Sequence, residues 1–139
     1  MADLPTSLTL NVVTRERKVL EAQVQEIVLP AWDGEIGVLP GHTPLLTTLK
    51  IGQMWYRTGT NIQRLVLSAG FAEVLPDRVI VLAENAKLAV EIDAAAAEIE
   101  RMEAEKELAY LSSQDPEFAV VEARLEESVA MINVHREHH

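Results

Sequence analysis

Gly34-Glu35-Ile36-Gly37-Val38-Leu39-Pro40-Gly41-His42-Thr43-Pro44-Leu45-Leu46 gathers most of the backbone punctuation of the first half of the chain. Between Pro30 and Pro44 lie three of the six glycines and three of the six prolines. Glycine admits positive φ and close backbone approach, whereas proline fixes φ and removes a donor. Interleaved Ile36, Val38, Leu39, Leu45 and Leu46 need burial, so the stretch reads as a packed, shaped turn region and not as a floppy linker. It is not a phosphate loop: the Gly-x-x-x-x-Gly-Lys spacing is missing, and no lysine follows before Lys50.

Outward from this turn, the chain up to about residue 84 has a period of two. Leu8, Leu10 and Val12 alternate with Thr9, Asn11 and Val13, and Val19-Leu20 and residues 23–29 continue in β-branched sequence. Residues 51–58 and 61–68 flank Gly59-Thr60, and residues 70–75 and 78–84 flank Pro76-Asp77, which predicts two hairpins. Leu65, Leu67, Val79 and Val81 are expected in the core, with Ile80 and Leu82 on the opposite face. Short, closely spaced strands with no helix between them predict an antiparallel sandwich or flattened barrel over residues 1–88.

The period then changes. Residues 91–112 contain no glycine or proline and are dominated by alanine and glutamate, both strong helix formers. Ile92, Ala95, Ala96, Ile99, Met102 and Leu108 or Ala109 form a modest apolar stripe, and Asp93 is the expected N-cap. The alanine run at 94–97 suits a helix that another element approaches closely. Asp115-Pro116 predicts a second cap and helix start. From there to about Arg136, Phe118, Val121, Leu125, Val129 and Ile132 recur on one face, expected to cover Ile92, Ile99 and Met102. The expected fold class is therefore α+β by segregation, an N-terminal antiparallel β-sandwich followed by a C-terminal antiparallel two-helix hairpin over residues 89–139.

Charge is uneven. Residues 1–90 carry nine acids and eight bases, net −1, while residues 91–139 carry thirteen acids and four bases, net −9. Without clustered Lys and Arg, nucleic acid and anionic lipid are not expected partners. Zero cysteines exclude a disulfide scaffold, a thiolate metal site and a cysteine nucleophile. No apolar run approaches the ~18 residues of a membrane span, and Met1-Ala2-Asp3-Leu4-Pro5 lacks the features of a signal peptide. A cytosolic chain, or one held at a membrane only through partners, is expected.

Gly-Glu-Ile-Gly-Val-Leu-Pro-Gly-His-Thr-Pro-Leu-Leu resembles the signature of the epsilon subunit of the F-type, proton-translocating rotary ATP synthase, bacterial type. Leu67-Ser68-Ala69-Gly70-Phe71-Ala72-Glu73-Val74, Val79-Ile80-Val81-Leu82-Ala83-Glu84, Leu10-Asn11-Val12-Val13-Thr14 and Ile27-Val28-Leu29-Pro30 agree in order and spacing. The resemblance implies a non-catalytic central-stalk subunit on the cytoplasmic face of the plasma membrane, peripheral through its complex. Its partners would be the gamma subunit, the rotor-ring c subunits and, through the hairpin, the alpha and beta catalytic subunits. Carried onto this chain, Glu35 and His42 would touch the rotor ring, with Gly37 and Gly41 shaping the loop; Thr14 and Thr47 would face gamma.

The resemblance also implies a mobile hairpin that extends along gamma and blocks hydrolytic rotation. Only Arg101, Lys106, Arg124 and Arg136 offset thirteen acids in residues 91–139, so weak inhibition is expected here. Some members bind ATP through Ile/Leu-Asp-x-x-Arg-Ala. This chain reads Ile92-Asp93-Ala94-Ala95-Ala96-Ala97, with Ala96 in place of the phosphate-holding arginine. No ATP or other cofactor is therefore expected. Catalytic readings are poor: His42 is the only histidine of the first 90 residues, Asp33 and Glu35 are ordinary turn acids, and His135, His138 and His139 end the chain without supporting ligands. The competing class is a stand-alone β-sandwich ligand-binding protein with a helical dimerisation arm.

Overall fold

The computed structural model describes residues 5–138; Met1, Ala2, Asp3, Leu4 and His139, named above, lie outside the described residues. Ten strands come first: β1 Leu8–Val13, β2 Lys18–Val24, β3 Glu26–Ala31, β4 Gly34–Val38, β5 Leu45–Leu49, β6 Gly52–Thr58, β7 Asn61–Leu67, β8 Gly70–Val74, β9 Arg78–Ala83 and β10 Ala86–Leu88. A 3₁₀ turn, Ala89–Glu91, leads to α1, Ala94–Ala109, and α2, Pro116–Glu137.

Strand order is β10-β7-β6-β3-β5-β8-β9-β1-β2, with β4 paired on the far side of β3. The sheet folds on itself at β3 and β5, which share only Ala31 opposite Leu49. Two layers result, β4-β3-β6-β7-β10 over β5-β8-β9-β1-β2. All pairs are antiparallel except β1 with β9, which run parallel from Thr9 opposite Arg78 to Val13 opposite Leu82.

Between the layers, alternate side chains are shut from water: Leu8, Leu10, Val12, Ile27, Leu29, Met54, Leu65, Leu67, Val79 and Val81 are fully buried. Each large aliphatic buried this way contributes about 1.5–3 kcal/mol. The expected core residues are among them, while Ile80 is half-buried and Leu82 exposed on the outer face. Both predicted hairpin turns form, at Gly59-Thr60 and at Pro76-Asp77.

The glycine-proline stretch is more regular than its composition suggests. Residues 34–38 form a strand because β3 offers it a full ladder, from Ile27 opposite Val38 to Ala31 opposite Gly34. A two-residue turn, Trp32-Asp33, joins the two, and Gly34 takes φ 136°, a region closed to most side chains. The run at 23–29 is likewise divided at Gln25 between β2 and β3.

In the helical part, Asp93 caps α1 as expected, its carboxylate accepting from the Ala96 N–H at 3.0 Å. Asp115 precedes Pro116 but caps differently: its carboxylate turns back to accept from the Ser112 N–H at 2.8 Å and stabilises the interhelical loop. The buried line follows the expected one at Ile92 and Val121, with Phe118, Leu125 and Ile132 half-buried, but departs from it elsewhere. Ile99, Met102 and Val129 are exposed, whereas Ala97, Ala104, Val121, Ser128 and Val134 are buried. Small residues let the two helices approach closely, and that closeness excludes water more effectively than side-chain size does.

Helix α2 lies on the outside of the β6–β7 layer. Val66, which points away from the sandwich core, joins Ala89, Ile92 and Val134 in a second apolar cluster flanked by Ala130 and Met131. Glu137, near the end of α2, receives the Arg64 guanidinium at 3.0 Å and the Gln53 amide at 3.3 Å.

Candidate functional site

Glu35 and Gly37 are exposed and two residues apart in β4, so they share its outer side, while Ile36 and Val38 turn toward the interior. Among the described residues β4 pairs only with β3, leaving its other edge open. Gly37 adopts an ordinary strand conformation with nothing within 4 Å of a notional Cβ, so it does not shape a loop. Gly41 does: it takes φ 85°, and its N–H donates to the Pro76 carbonyl at 2.8 Å. His42 follows, its N–H donating to the Leu39 carbonyl at 3.1 Å and its Nδ1 to the Thr43 carbonyl at 2.6 Å. Glu35 is therefore in a strand near the Trp32-Asp33 tip, and His42 is in the turn at the opposite end of β4. They are not in one loop. They mark the two ends of one exposed ribbon.

Thr14 and Thr47 have structural occupations. Thr14 Oγ1 accepts from the Glu16 and Arg17 N–H groups and donates to the Arg17 carbonyl, closing the β1–β2 turn. Thr47 sits opposite buried Ala72 and is half-buried, its hydroxyl bonded to the Thr48 carbonyl at 3.2 Å.

Neighbouring strands carry a feature that sequence reading passed over. On the outer side of the β5-β8-β9-β1 layer, Thr48, Phe71, Leu82 and Val13 fall in one cross-strand row, with Leu46, Glu73, Ile80 and Asn11 in the next. Leu46 is 72% exposed, Phe71 55% and Leu82 52%. A shallow cavity of about 430 Å³ bordered by Arg15, Thr48, Gly70, Phe71 and Leu82 opens beside them. One outer face of the sandwich is thus covered by α2, and the opposite one presents large apolar side chains to water. The alternation at Ile80 and Leu82 was the available signal, since it put two aliphatics on the solvent side.

Where the hairpin meets the sandwich, Ile92, Asp93, Ala96 and Ala97 come together. Ile92 is part of the apolar seat, and the other three line a cavity of about 350 Å³ with Lys87, Glu100, Arg124, Glu127 and Ser128. Arg124 is committed elsewhere: its guanidinium binds Glu100 and reaches Glu107 at 2.7 Å, tying α2 to α1. The carboxylates hold its pKa above the ordinary arginine value. Burial pushes Glu127 up from the usual carboxylate range; Lys87 opposes the shift and Glu100 adds to it. Three acids and an occupied arginine are poor lining for a polyphosphate. At the joint, Arg17 holds both oxygens of Glu91 at 2.9 Å, and Glu91 also accepts the Leu88 N–H. The Arg17 hydrogen bond first, then the Leu88 N–H and the charges of Arg17 and Lys87, lower the Glu91 pKa against a smaller opposing effect of burial.

Among the described residues no group of three His, Cys, Asp or Glu is placed to share a metal ion, and no helix is long and apolar enough to cross a membrane. The chain is thus a β-sandwich with one bare apolar face, one open edge and an appended helical pair. Residues 7–89 match the family described as ATP synthase, Delta/Epsilon chain, beta-sandwich domain. The chain is 42% identical over 127 residues to the ATP synthase epsilon chain of Syntrophobacter fumaroxidans, covering 91% of this chain and 94% of that one. It belongs to the ATP synthase epsilon-chain family, whose members are non-catalytic subunits of the complex.

Among solved structures, a chain of the Euglena gracilis mitochondrial ATP synthase (OSCP/F1/c-ring) superposes with a TM-score of 0.81 at 25% identity, covering 94% of this chain and 82% of that one. A chain of the Tetrahymena thermophila mitochondrial ATP synthase central stalk and c-ring shares the fold at a TM-score of 0.65 and 11% identity, covering 96% and 99%.

Proposed function

We propose that this chain is the central-stalk clamp of its ATP synthase, at the cytoplasmic face of the membrane, fixing gamma to the rotor ring so that proton-driven rotation reaches the catalytic head. The observation that carries the reading is the Leu46-Phe71-Leu82 face. Large apolar side chains gathered on one outer face of a small domain mark a partner surface, and gamma is the partner assigned to it. Thr14 and Thr47 border this layer and position its strands. The β4 ribbon is assigned to the ring, touching the c subunits at Glu35 and, beyond the far end of the strand, at His42. Residues 1–88 act as the rigid coupling body and residues 89–139 as a regulatory unit. That unit can leave its small apolar seat for the alpha and beta subunits and inhibits hydrolysis weakly.

The test is a Phe71→Glu/Leu82→Glu double variant. Both residues are exposed, so the fold is expected to survive, as read by circular dichroism and melting. Loss of a one-to-one complex with gamma, by at least about tenfold in affinity, is the expected result. Undiminished binding refutes the assignment, and a homodimer held through the helical arm points to the ligand-binding alternative. Deleting residues 91–139 is expected to change hydrolysis by the assembled enzyme only slightly; a large rise contradicts weak inhibition.

A further inference from the structure

We infer that the pairing of Glu137 with Arg64 is a charge latch that holds the helical pair down on the sandwich, the acidity of the helices being matched to the domain they rest on. The inference deepens, and rests on, the reading of residues 89–139 as a unit able to leave that domain.

Apolar docking alone is thin. Helix α1 packs against α2 and not on the strands. Of α2, Val134 alone is among the buried residues of the seat formed with Val66, Ala89 and Ile92, and Ala130 and Met131 lie at its margin. The charged contacts all run one way. Among the described residues two ion pairs cross from the sandwich to the linker and helices, Arg17 with Glu91 at 2.9 Å and Arg64 with Glu137 at 3.0 Å, and in both the sandwich provides the base. Arg101 and Arg124, by contrast, are engaged within the hairpin, on Glu98 and Glu105 and on Glu100 and Glu107. Lys87 of β10 is a further sandwich base, bordering the same cavity as Glu127 of α2. An arm of net charge −9 therefore lies where a body of net charge −1 presents its cations.

The two crossing pairs differ in what opening does to them. Glu91 ends the 3₁₀ turn at the joint, so its pair can persist when the helices swing away. Glu137 is the last residue of α2, and its pair has to break. Its position also runs against a local rule. The C-terminal end of a helix disfavours a carboxylate and favours cations such as His135 and Arg136 just before it. What offsets that cost is on the sandwich: the Arg64 guanidinium and the Gln53 amide both donate to Glu137 Oε2, at 3.0 and 3.3 Å. A residue unfavourable in its own helix and satisfied only across the contact is placed for the contact.

Hydrogen exchange of the α2 amides in the free chain reads the opening, with the amides of β1 and β9 as internal reference. Glu137→Arg and Arg64→Glu are each expected to speed α2 exchange about fivefold, the upper end for an ion pair at a surface. Combined, they are expected to restore it to within about twofold of wild type, because the pair is remade with its signs exchanged. Unchanged exchange in either single variant overturns the latch, as does a double variant as fast as the faster single. Glu137→Gln keeps the test independent of the strands should Arg64→Glu disturb the sandwich; faster α2 exchange is expected, and an unchanged rate overturns the latch. Arg64→Glu, which leaves the helices' own sequence intact, is also expected to slow ATP hydrolysis by the assembled enzyme. Faster α2 exchange in the free chain with hydrolysis unchanged leaves the latch standing and removes the regulatory reading of residues 89–139.

Discussion

Gly70→Ala is the substitution whose outcome the backbone dictates most directly. Gly70 pairs with Leu49 on one side and Ala83 on the other, so it lies inside the β5-β8-β9 layer. A Cβ there would collide with the Leu82 carbonyl oxygen and sit 2.8 Å from the Ala83 Cα and 2.9 Å from the Leu82 carbonyl carbon. These are backbone atoms of a paired strand, so relief requires β8 or β9 to move. Overpacking against side chains costs about 1–3 kcal/mol. Moving a strand also strains ladder bonds worth about 1 kcal/mol each. A loss of about 3 kcal/mol or more follows, a large part of the ~5–15 kcal/mol that holds a domain together. In a sandwich of this size that lowers the melting temperature by roughly 10–20 °C. Urea unfolding followed by tryptophan fluorescence reads the effect, and Gly37→Ala is the control. Gly37 has ordinary φ and open space around its Cβ position, so alanine there is neutral or stabilising by about 0.4–1 kcal/mol. If Gly70→Ala falls within about 0.5 kcal/mol of wild type, the close-approach argument is wrong.

Glu127 and Glu91 respond to acid with opposite signs. Glu127 has a raised pKa, so its penalty is full above that pKa and is relieved as pH falls toward the ordinary carboxylate value; Glu127→Gln is expected to stabilise at pH 8, with a gain that shrinks by pH 4 in pH-dependent melting. Glu91 has a lowered pKa, so its contribution is present above the unfolded value and is lost as pH falls through the folded one; Glu91→Gln is expected to flatten the acid limb of the melting curve. Val134→Asp, placing a charge in the apolar seat of α2, is expected to expose residues 94–137 to proteolysis and hydrogen exchange while the sandwich melts as before. Calorimetry with ATP is expected to show no saturable binding in the low-micromolar range, and a low-micromolar dissociation constant would refute the reading of Ala96 and the acid-lined cavity.

Strand period, both hairpin turns, the inward and outward faces of β9 and the cap of α1 were all legible, because each follows from a few adjacent residues. Strand β4 was not, since its ladder depends on β3 and its two glycines read locally as a turn. The parallel β1–β9 pair joins residues about 70 apart, a separation that no local pattern encodes. The helix pair was legible on one side only: Val121 and its neighbours gave the inward face of α2, but in α1 the large Ile99 and Met102 predicted the wrong face because Ala97 and Ala104 are the residues that α2 covers. Of the proposed site, Glu35 and His42 rest on resemblance, and only the fold places them at two ends of one strand. The apolar outer face was half visible in Ile80 and Leu82 and was completed only when β5 and β8 brought Leu46 and Phe71 beside them.

The lone parallel pair also sets a timetable for biosynthesis. A growing chain makes β1 first, yet the strand that receives it begins at Arg78 and is synthesised long after. Until then the opening hairpin keeps one flank unsatisfied, the kind of edge that recruits other chains. Closure of the sandwich therefore waits for more than half the polypeptide to leave the ribosome. The helices that emerge later settle onto a body already sealed.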